Sequence, residues 1–174
     1  VTLSNLAEDV QVSPKTAKEW LRIIERMYIA FPIYPLTRNL PRTIQKPPKV
    51  YFYDNGDVVD SGGPRLENFV ATTLLKHLHF IEDYYGYRCS LHYIRDKDGR
   101  EVDFVTVIND NVVDLIEVKT NDQTISSSLK YYANKLKPQR TVQIVGNLKR
   151  TYDQDGILVV NPIEFFKVPP WENI

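Results

Sequence analysis

The chain has 174 residues, with 22 Lys plus Arg balanced by 22 Asp plus Glu. That length suits one good core, or a small unit beside a medium one. A content of 43% hydrophobic and 25% charged residues excludes general disorder, no run of about 18 apolar residues is present to span a membrane, and the single cysteine, Cys89, excludes an internal disulfide or a zinc site needing several thiolates. The lone thiol suits a reducing compartment, so a cytoplasmic location is expected. The chain opens at Val1 rather than methionine and runs directly into a helical pattern, as expected of a piece of a longer protein.

From the start, Ser4 can cap a short helix to about Asp9, and Ser13 followed by Pro14 opens a longer one to about Met27. Val10, Gln11 and Val12 make a tight connector. Within the second helix Ala17, Leu21, Ile24 and Tyr28 fall at helical spacing, with Lys15, Lys18, Arg22 and Arg26 on another side. Strand-like runs follow at 28–36 and 49–53, separated by a basic, proline-containing stretch at 37–48 that reads as a long hairpin or wing. Residues 1–57 are therefore expected to form a winged helix-turn-helix. Residues 10–53 carry eight basic and two acidic side chains, a local charge of +6 inside a neutral chain. Lys15, Lys18, Arg22 and Arg26 are thus candidate DNA contacts, although a basic helix face is often only solvated, and such units also serve as protein contacts.

Turn chemistry at 54–57 and 61–64, with residues 58–63 as linker, marks the start of a second unit, 64–174. From Arg65 to about Phe80 the positions Leu66, Phe69, Val70, Thr73, Leu74 and Leu78 recur at helical spacing, with Glu67 in the first turn. Strands are expected at 90–95, 101–108 and 112–120, a helix around Leu129, Tyr132, Ala133 and Leu136, and strands near 141–145 and 157–160. The fold class is α/β in the α+β sense, and this unit reads α-β-β-β-α-β-β.

The two runs Val102 to Ile108 and Val112 to Lys119 are separated by Asn109, Asp110 and Asn111. If that loop has three residues, Ile108 faces Val112, and counting back sets Asp103 opposite Glu117, with Lys119 on the same face. Val105, Val107, Val113 and Leu115 continue that face. Val102, Phe104, Ile108, Val112, Ile116 and Val118 fall on the other. A two-residue loop at Asp110 and Asn111 would instead set Asp103 against Val118. With both faces apolar, these are central strands, where a carboxylate pair costs several kcal/mol unless paired or metal-bound. Two carboxylates sharing a site repel, and a hard divalent cation accepts both, so Mg²⁺ or Mn²⁺ is the expected cofactor. Beside Lys119 such a site suits phosphodiester hydrolysis.

Asp103, a turn, then Glu117, Val118 and Lys119, preceded by a helix carrying Glu67, resembles the PD-(D/E)XK nuclease superfamily, with Glu101-Val102-Asp103 where the name has Pro-Asp. More narrowly, residues 49–56, 65–75, 99–104 and 116–120 look like the C-terminal region of prokaryotic AAA-type ATPases, in which a winged helix precedes a restriction-endonuclease-like domain. The resemblance implies Asp103, Glu117 and the Val118 carbonyl as metal ligands, Lys119 as the catalytic lysine, Glu67 as an auxiliary acid, and Tyr131 or Tyr132 as a substrate contact. It also implies DNA and an N-terminal ATPase module as partners. No P-loop motif occurs in this chain. The leading expectation is a metal-dependent DNA nuclease domain, and the alternative is a catalytically inactive DNA-binding or assembly module. His77, His79 and His92 do not form a metal set, and Tyr84, Tyr85, Tyr87 and Tyr93 read as packing residues.

Overall fold

The structure is a computed structural model and describes residues 7–37, 47–59 and 62–168. The expected Ser4 cap, Arg38, Arg42, Lys46 and most of the wing lie outside them, as does Ser61.

Helix α1, Pro14–Arg26, starts where the sequence indicates: Ser13 Oγ accepts from Thr16 N at 3.1 Å and Pro14 takes the first helical position. Ala17 and Leu21 are buried, but Ile24 and Tyr28 are exposed. The helix stops at Arg26 and Tyr28 turns to φ 56°, so it leaves the expected stripe. Strands β1, Ala30–Pro35, and β2, Lys49–Phe52, pair antiparallel, with Ile33 opposite Lys49. β1 then joins β3, Cys89–Arg95, in parallel through Tyr34 with His92 and Pro35 with Tyr93. Pro32 and Pro35 have no N–H to donate, which keeps this joint short. The hairpin is thus one edge of the main sheet.

Helix α2, Gly63–Tyr85, is longer than its apolar pattern indicated and ends at Gly86 in the left-handed region, φ 70°. Its buried stripe is Val70, Ala71, Leu74, Leu78 and Ile81, while Phe69 is exposed and meets Phe166 edge-on. Next come β4, Glu101–Ile108, β5, Asn111–Lys119, α3, Ser127–Leu136, β6, Arg140–Val145, β7, Tyr152–Gln154, β8, Ile157–Val160, and α4, Pro162–Lys167. β7 and α4 were not expected from the sequence. Among the described residues eight strands run in the order β2-β1-β3-β4-β5-β6-β8-β7, with four antiparallel and three parallel pairings. This mixed sheet with helices on both faces is the α+β class the sequence indicated. No helix among the described residues is long and apolar enough to cross a membrane.

α2 covers one face, where Val70, Ala71 and Leu74 meet Phe104, Ile116, Val142 and Ile144. α3 covers the other with Leu129 and Tyr132 against Val105, Val107 and Leu115. β4 and β5 are therefore buried on both sides. The β3–β4 turn is organised by Asp96, which accepts from Asp98 N at 2.9 Å, from Arg100 N and Nε at 3.0 and 2.7 Å, and from the Tyr132 hydroxyl at 2.8 Å.

The β4–β5 turn departs from the expected three residues. Ile108 pairs with Asn111 and Val107 with Val112, so only Asn109 and Asp110 form the loop. Both have positive φ, 47° and 67°, as a two-residue hairpin turn of matching twist requires. A bulge then leaves Val113 unopposed, and the register resumes with Thr106 opposite Asp114, Val105 opposite Leu115 and Phe104 opposite Ile116. The bulge exchanges the faces of its neighbours: Val113 packs with Ile108, Leu78 and Ile81, whereas Val112 joins the α3 side. Val102 also packs with Leu36, Ile94 and Val105 rather than with Phe104. A second shift in the β3–β4 ladder, between His92 and Ile94, accompanies that exchange.

Candidate functional site

Beyond Phe104 opposite Ile116, β4 and β5 are joined by the Asp103 side chain, which reaches the β5 backbone beside Glu117. The turn is one residue shorter than expected and the bulge adds one back, so from Thr106 to Phe104 the pairing is the one the longer turn would have given; Asp103 lies near enough to Glu117 for the two charges to repel. Asp103 Oδ2 accepts from Val118 N at 3.0 Å. It is thus the amide of Val118 that is seen to meet Asp103. Glu117 is 6% exposed; its Oε1 lies 2.8 Å from Lys119 Nζ, and its Oε2 is buried with no hydrogen-bond partner among the described residues.

The end of β5 is held in place by close packing. Gly146 N donates to Lys119 O at 2.9 Å, and a Cβ at Gly146 would lie 3.0 Å from the Thr120 carbonyl oxygen and 3.1 Å from Leu66. Only glycine allows that approach without a shift. On β6, Gln143 stands beside Glu117 and is fully buried, but its amide is committed elsewhere: Oε1 accepts from Ser126 N at 3.0 Å and Nε2 donates to Thr124 O at 3.1 Å. Gln143 thereby fixes the start of α3.

Glu67, in the second turn of α2, joins the cluster from the opposite side. Its Oε1 accepts from the Tyr51 hydroxyl at 2.5 Å and lies 3.3 Å from Lys49 Nζ. The same ammonium reaches Asp103 Oδ1 at 3.1 Å and Glu101 Oε1 at 2.7 Å. Lys49, Tyr51 and Glu101 were not singled out in the sequence. Lys49 and Tyr51 alternate with Val50 and Phe52 on β2, and they reach the site because Asn68 locks that strand to α2. The Asn68 amide accepts from Phe52 N at 2.8 Å and donates to Phe52 O at 3.0 Å, copying a strand neighbour.

The electrostatics are frustrated at Asp103. Burial pushes its carboxyl up, Lys49 pulls it down, and Glu67 and Glu117 push it up again, leaving it at about 7. Burial alone would lower Lys49, but Asp103, Glu67 and Glu101 outweigh that and hold its ammonium well above the usual range. Burial and the Glu67 carboxylate drive the Tyr51 phenol far up, so it remains a donor. Lys119 loses to burial and gains more from Glu117, so it too stays charged.

The other expected residues lie apart from this cluster. Lys15, Lys18, Arg22 and Arg26 are exposed on α1, and Arg22 is tied to Glu19 at 2.9 Å. Tyr132 is buried with its hydroxyl on Asp96, and Tyr131 stacks under the Arg100 guanidinium at 4.2 Å. Among the described residues no group of three or more His, Cys, Asp or Glu side chains is disposed to hold a metal ion, and the histidines in particular form no such set. His92 instead bonds Tyr34 O and Ser90 Oγ. Tyr93 is buried and donates to Pro47 O at 2.7 Å.

Fold and cluster together define a class: a mixed sheet between helices, with an acid pair and a lysine at the end of its central hairpin. The chain belongs to the family described as Domain of unknown function (DUF4143), which matches residues 62–166, more than half of its length. That domain is found in the C-terminal region of AAA-type ATPases. A second family, Domain of unknown function (DUF8612), matches residues 1–59. No curated protein and no solved structure matches the chain.

Proposed function

We propose that this chain is a metal-dependent DNA phosphodiester hydrolase domain of the PD-(D/E)XK type, with a restriction-endonuclease-like core, working in the cytoplasm as the C-terminal part of an AAA-type ATPase. The observation that carries this reading is the buried Glu117 Oε2, without a hydrogen-bond partner among the described residues, near Asp103, whose carboxyl is lifted to about 7. Evolution does not leave a buried acceptor and a crowded carboxylate side by side without a return, and a hard cation resolves both costs. Asp103, Glu117 and the Val118 carbonyl would hold Mg²⁺ or Mn²⁺. Two carboxylates suffice, since Mg²⁺ keeps several waters and takes the rest of its shell from substrate phosphate. When bound, such an ion supplies a water of lowered pKa and polarises the phosphate.

The chain's own groups divide the remaining work. Lys119, kept protonated by Glu117, serves as a fixed positive charge for a phosphate oxygen that gains charge, and not as a proton acceptor. Glu67, oriented by Tyr51, is the auxiliary acid. Lys15, Lys18, Arg22 and Arg26 would contact DNA phosphates. The test is cleavage of single- and double-stranded DNA with Mg²⁺ or Mn²⁺. Asp103→Ala and Lys119→Ala should each lose on the order of 100-fold or more, and cleavage that persists in both variants removes the proposal.

A second reading, an inactive assembly module, is favoured by α1 itself. Trp20, Ile23 and Met27 are exposed among its basic residues, and such apolar exposure suits a protein partner. Under that reading Lys18→Ala and Arg22→Ala leave DNA affinity and its salt dependence unchanged, whereas phosphate contact lowers both.

A further inference from the structure

Resting on the reading of the carboxylate cluster as a metal site, we infer that Lys49 is a built-in cation that occupies the cluster and must withdraw for a divalent ion to load. Its ammonium bridges three carboxylates of the second unit at once, Glu101, Asp103 and Glu67, at 2.7, 3.1 and 3.3 Å. It arrives on β2, within the stretch matched by the N-terminal family. The site is therefore composite, and the hairpin contributes the charge that stabilises its metal-free form.

Charge counting gives the reason for exclusion. In the fully ionised state that a bound cation selects, Glu67, Glu101, Asp103 and Glu117 against Lys49, Lys119 and Arg95 sum to −1; Arg95 Nε lies 3.4 Å from Glu101. Adding a divalent ion beside Lys49 takes it to +1. Withdrawing Lys49 leaves −2, which a divalent ion cancels. At separations of a few ångströms and low effective dielectric, that difference decides occupancy. Asp103 Oδ1, the oxygen facing Lys49, is also the one not used by the Val118 amide, so ion and ammonium compete for the same lone pairs.

Room to withdraw is present. A cleft of about 530 Å³ borders the cluster, lined by Pro48, Lys49, Tyr51, Glu67, Tyr93 and Glu101. The lysine stem has the torsional freedom to carry its ammonium there. Its Nζ already stands 5.6 Å from the centre of the Tyr93 ring, whose face attracts a cation.

The experiment is Mn²⁺ binding followed by electron paramagnetic resonance, without DNA, for the wild-type chain, Lys49→Met, Lys49→Arg and Lys49→Met with Asp103→Asn. Methionine keeps the stem and removes the charge. Lys49→Met should bind Mn²⁺ at least about tenfold tighter than wild type, Lys49→Arg should not, and Asp103→Asn should abolish the gain. If wild type binds Mn²⁺ and Lys49→Met binds no tighter, this inference falls and the metal site stands. If none of the four binds, the metal reading and the inference fall together. Should Lys49→Met fail to fold, the lysine ammonium resonances of the wild-type chain decide: the Lys49 signal, slowed by its three partners, should vanish into fast exchange with saturating Mg²⁺, and its persistence overturns the inference.

Discussion

Two buried carboxylates lie three residues apart on β5, and their surroundings treat them in opposite ways. Asp114 is 3% exposed and fully satisfied. Thr106 Oγ1 donates to Oδ2 at 2.7 Å, Arg140 Nε donates to Oδ1 at 2.7 Å, and Asp114 N donates back to Thr106 Oγ1 at 3.0 Å. Glu117 has one oxygen on Lys119 and the other without a partner among the described residues. Both are buried on the same strand, so burial in the sheet is not what separates them. A buried network that closes on itself fixes a fold, while one left open beside a lysine stores a demand for something not yet bound.

The largest expected effect lies on the closed side. Asp114→Ala strands the Arg140 guanidinium, which is only partly exposed, and leaves Thr106 without its acceptor. Breaking such a pair from one side should cost about 3 kcal/mol. The melting temperature should fall by roughly 10 °C, read by thermal unfolding. A loss within the error of a surface substitution would show that satisfaction by hydrogen bonds does not mark structural acids in this sheet.

Asn68 extends the same rule into the site's own neighbourhood. It lies one residue from Glu67, yet its amide is fully used on the Phe52 backbone and Asn55 Oδ1, so it sorts with Asp114 and not with Glu117. Asn68→Ala should cost about 2 kcal/mol by leaving the Phe52 amide and carbonyl to find other partners, measured by urea denaturation. Residual Mn²⁺ binding at saturating metal should survive, because Asn68 is not a ligand. Complete loss of metal binding in a folded variant would break the division between the two kinds of buried polar group.

What the sequence made legible follows the same line between local and distant effects. The α-β-β-β-α-β order could be read because turn residues at 109–111 separate β-rich runs, and because the apolar positions from Leu66 to Leu78 and from Leu129 to Leu136 recur at helical spacing. The pairing of Phe104 to Thr106 with Asp114 to Ile116 was legible from strand counting only because two local departures, a two-residue turn and a bulge at Val113, cancel. Nothing local announces that bulge. Lys49 and Tyr51 were invisible as site residues because their contacts to Glu67 and Asp103 span 16 to 54 positions and depend on Asn68 holding β2 against α2. β7 and α4, at three and six residues, are too short to set up a period. Ile24 stays exposed on α1, and Tyr28, beyond the end of that helix, turns to pack on the Tyr53 ring at 5.6 Å.

The smallest expected effect is the most telling. Glu117→Gln preserves volume, keeps an amide oxygen for Lys119, and removes the charge from the oxygen that has no partner. The neighbouring Asp103 loses one of the like charges that lift its carboxyl, so its own burial becomes less costly. Against this stands the lost ion pair with Lys119, whose ammonium is about one-third exposed and keeps the glutamine amide oxygen as an acceptor, so it is not stranded. The two changes nearly cancel, so stability should hold within about 1 kcal/mol or rise, read from the urea midpoint at constant m-value. Mn²⁺ binding should drop at least about tenfold in the same sample, since a charged ligand has gone. Stability and binding thus move independently at Glu117, where at Asp114 only stability moves. A fall of about 3 kcal/mol at Glu117, equal to that at Asp114, would instead mean that its open oxygen stabilises the folded sheet, and the contrast between the two acids would carry no functional meaning.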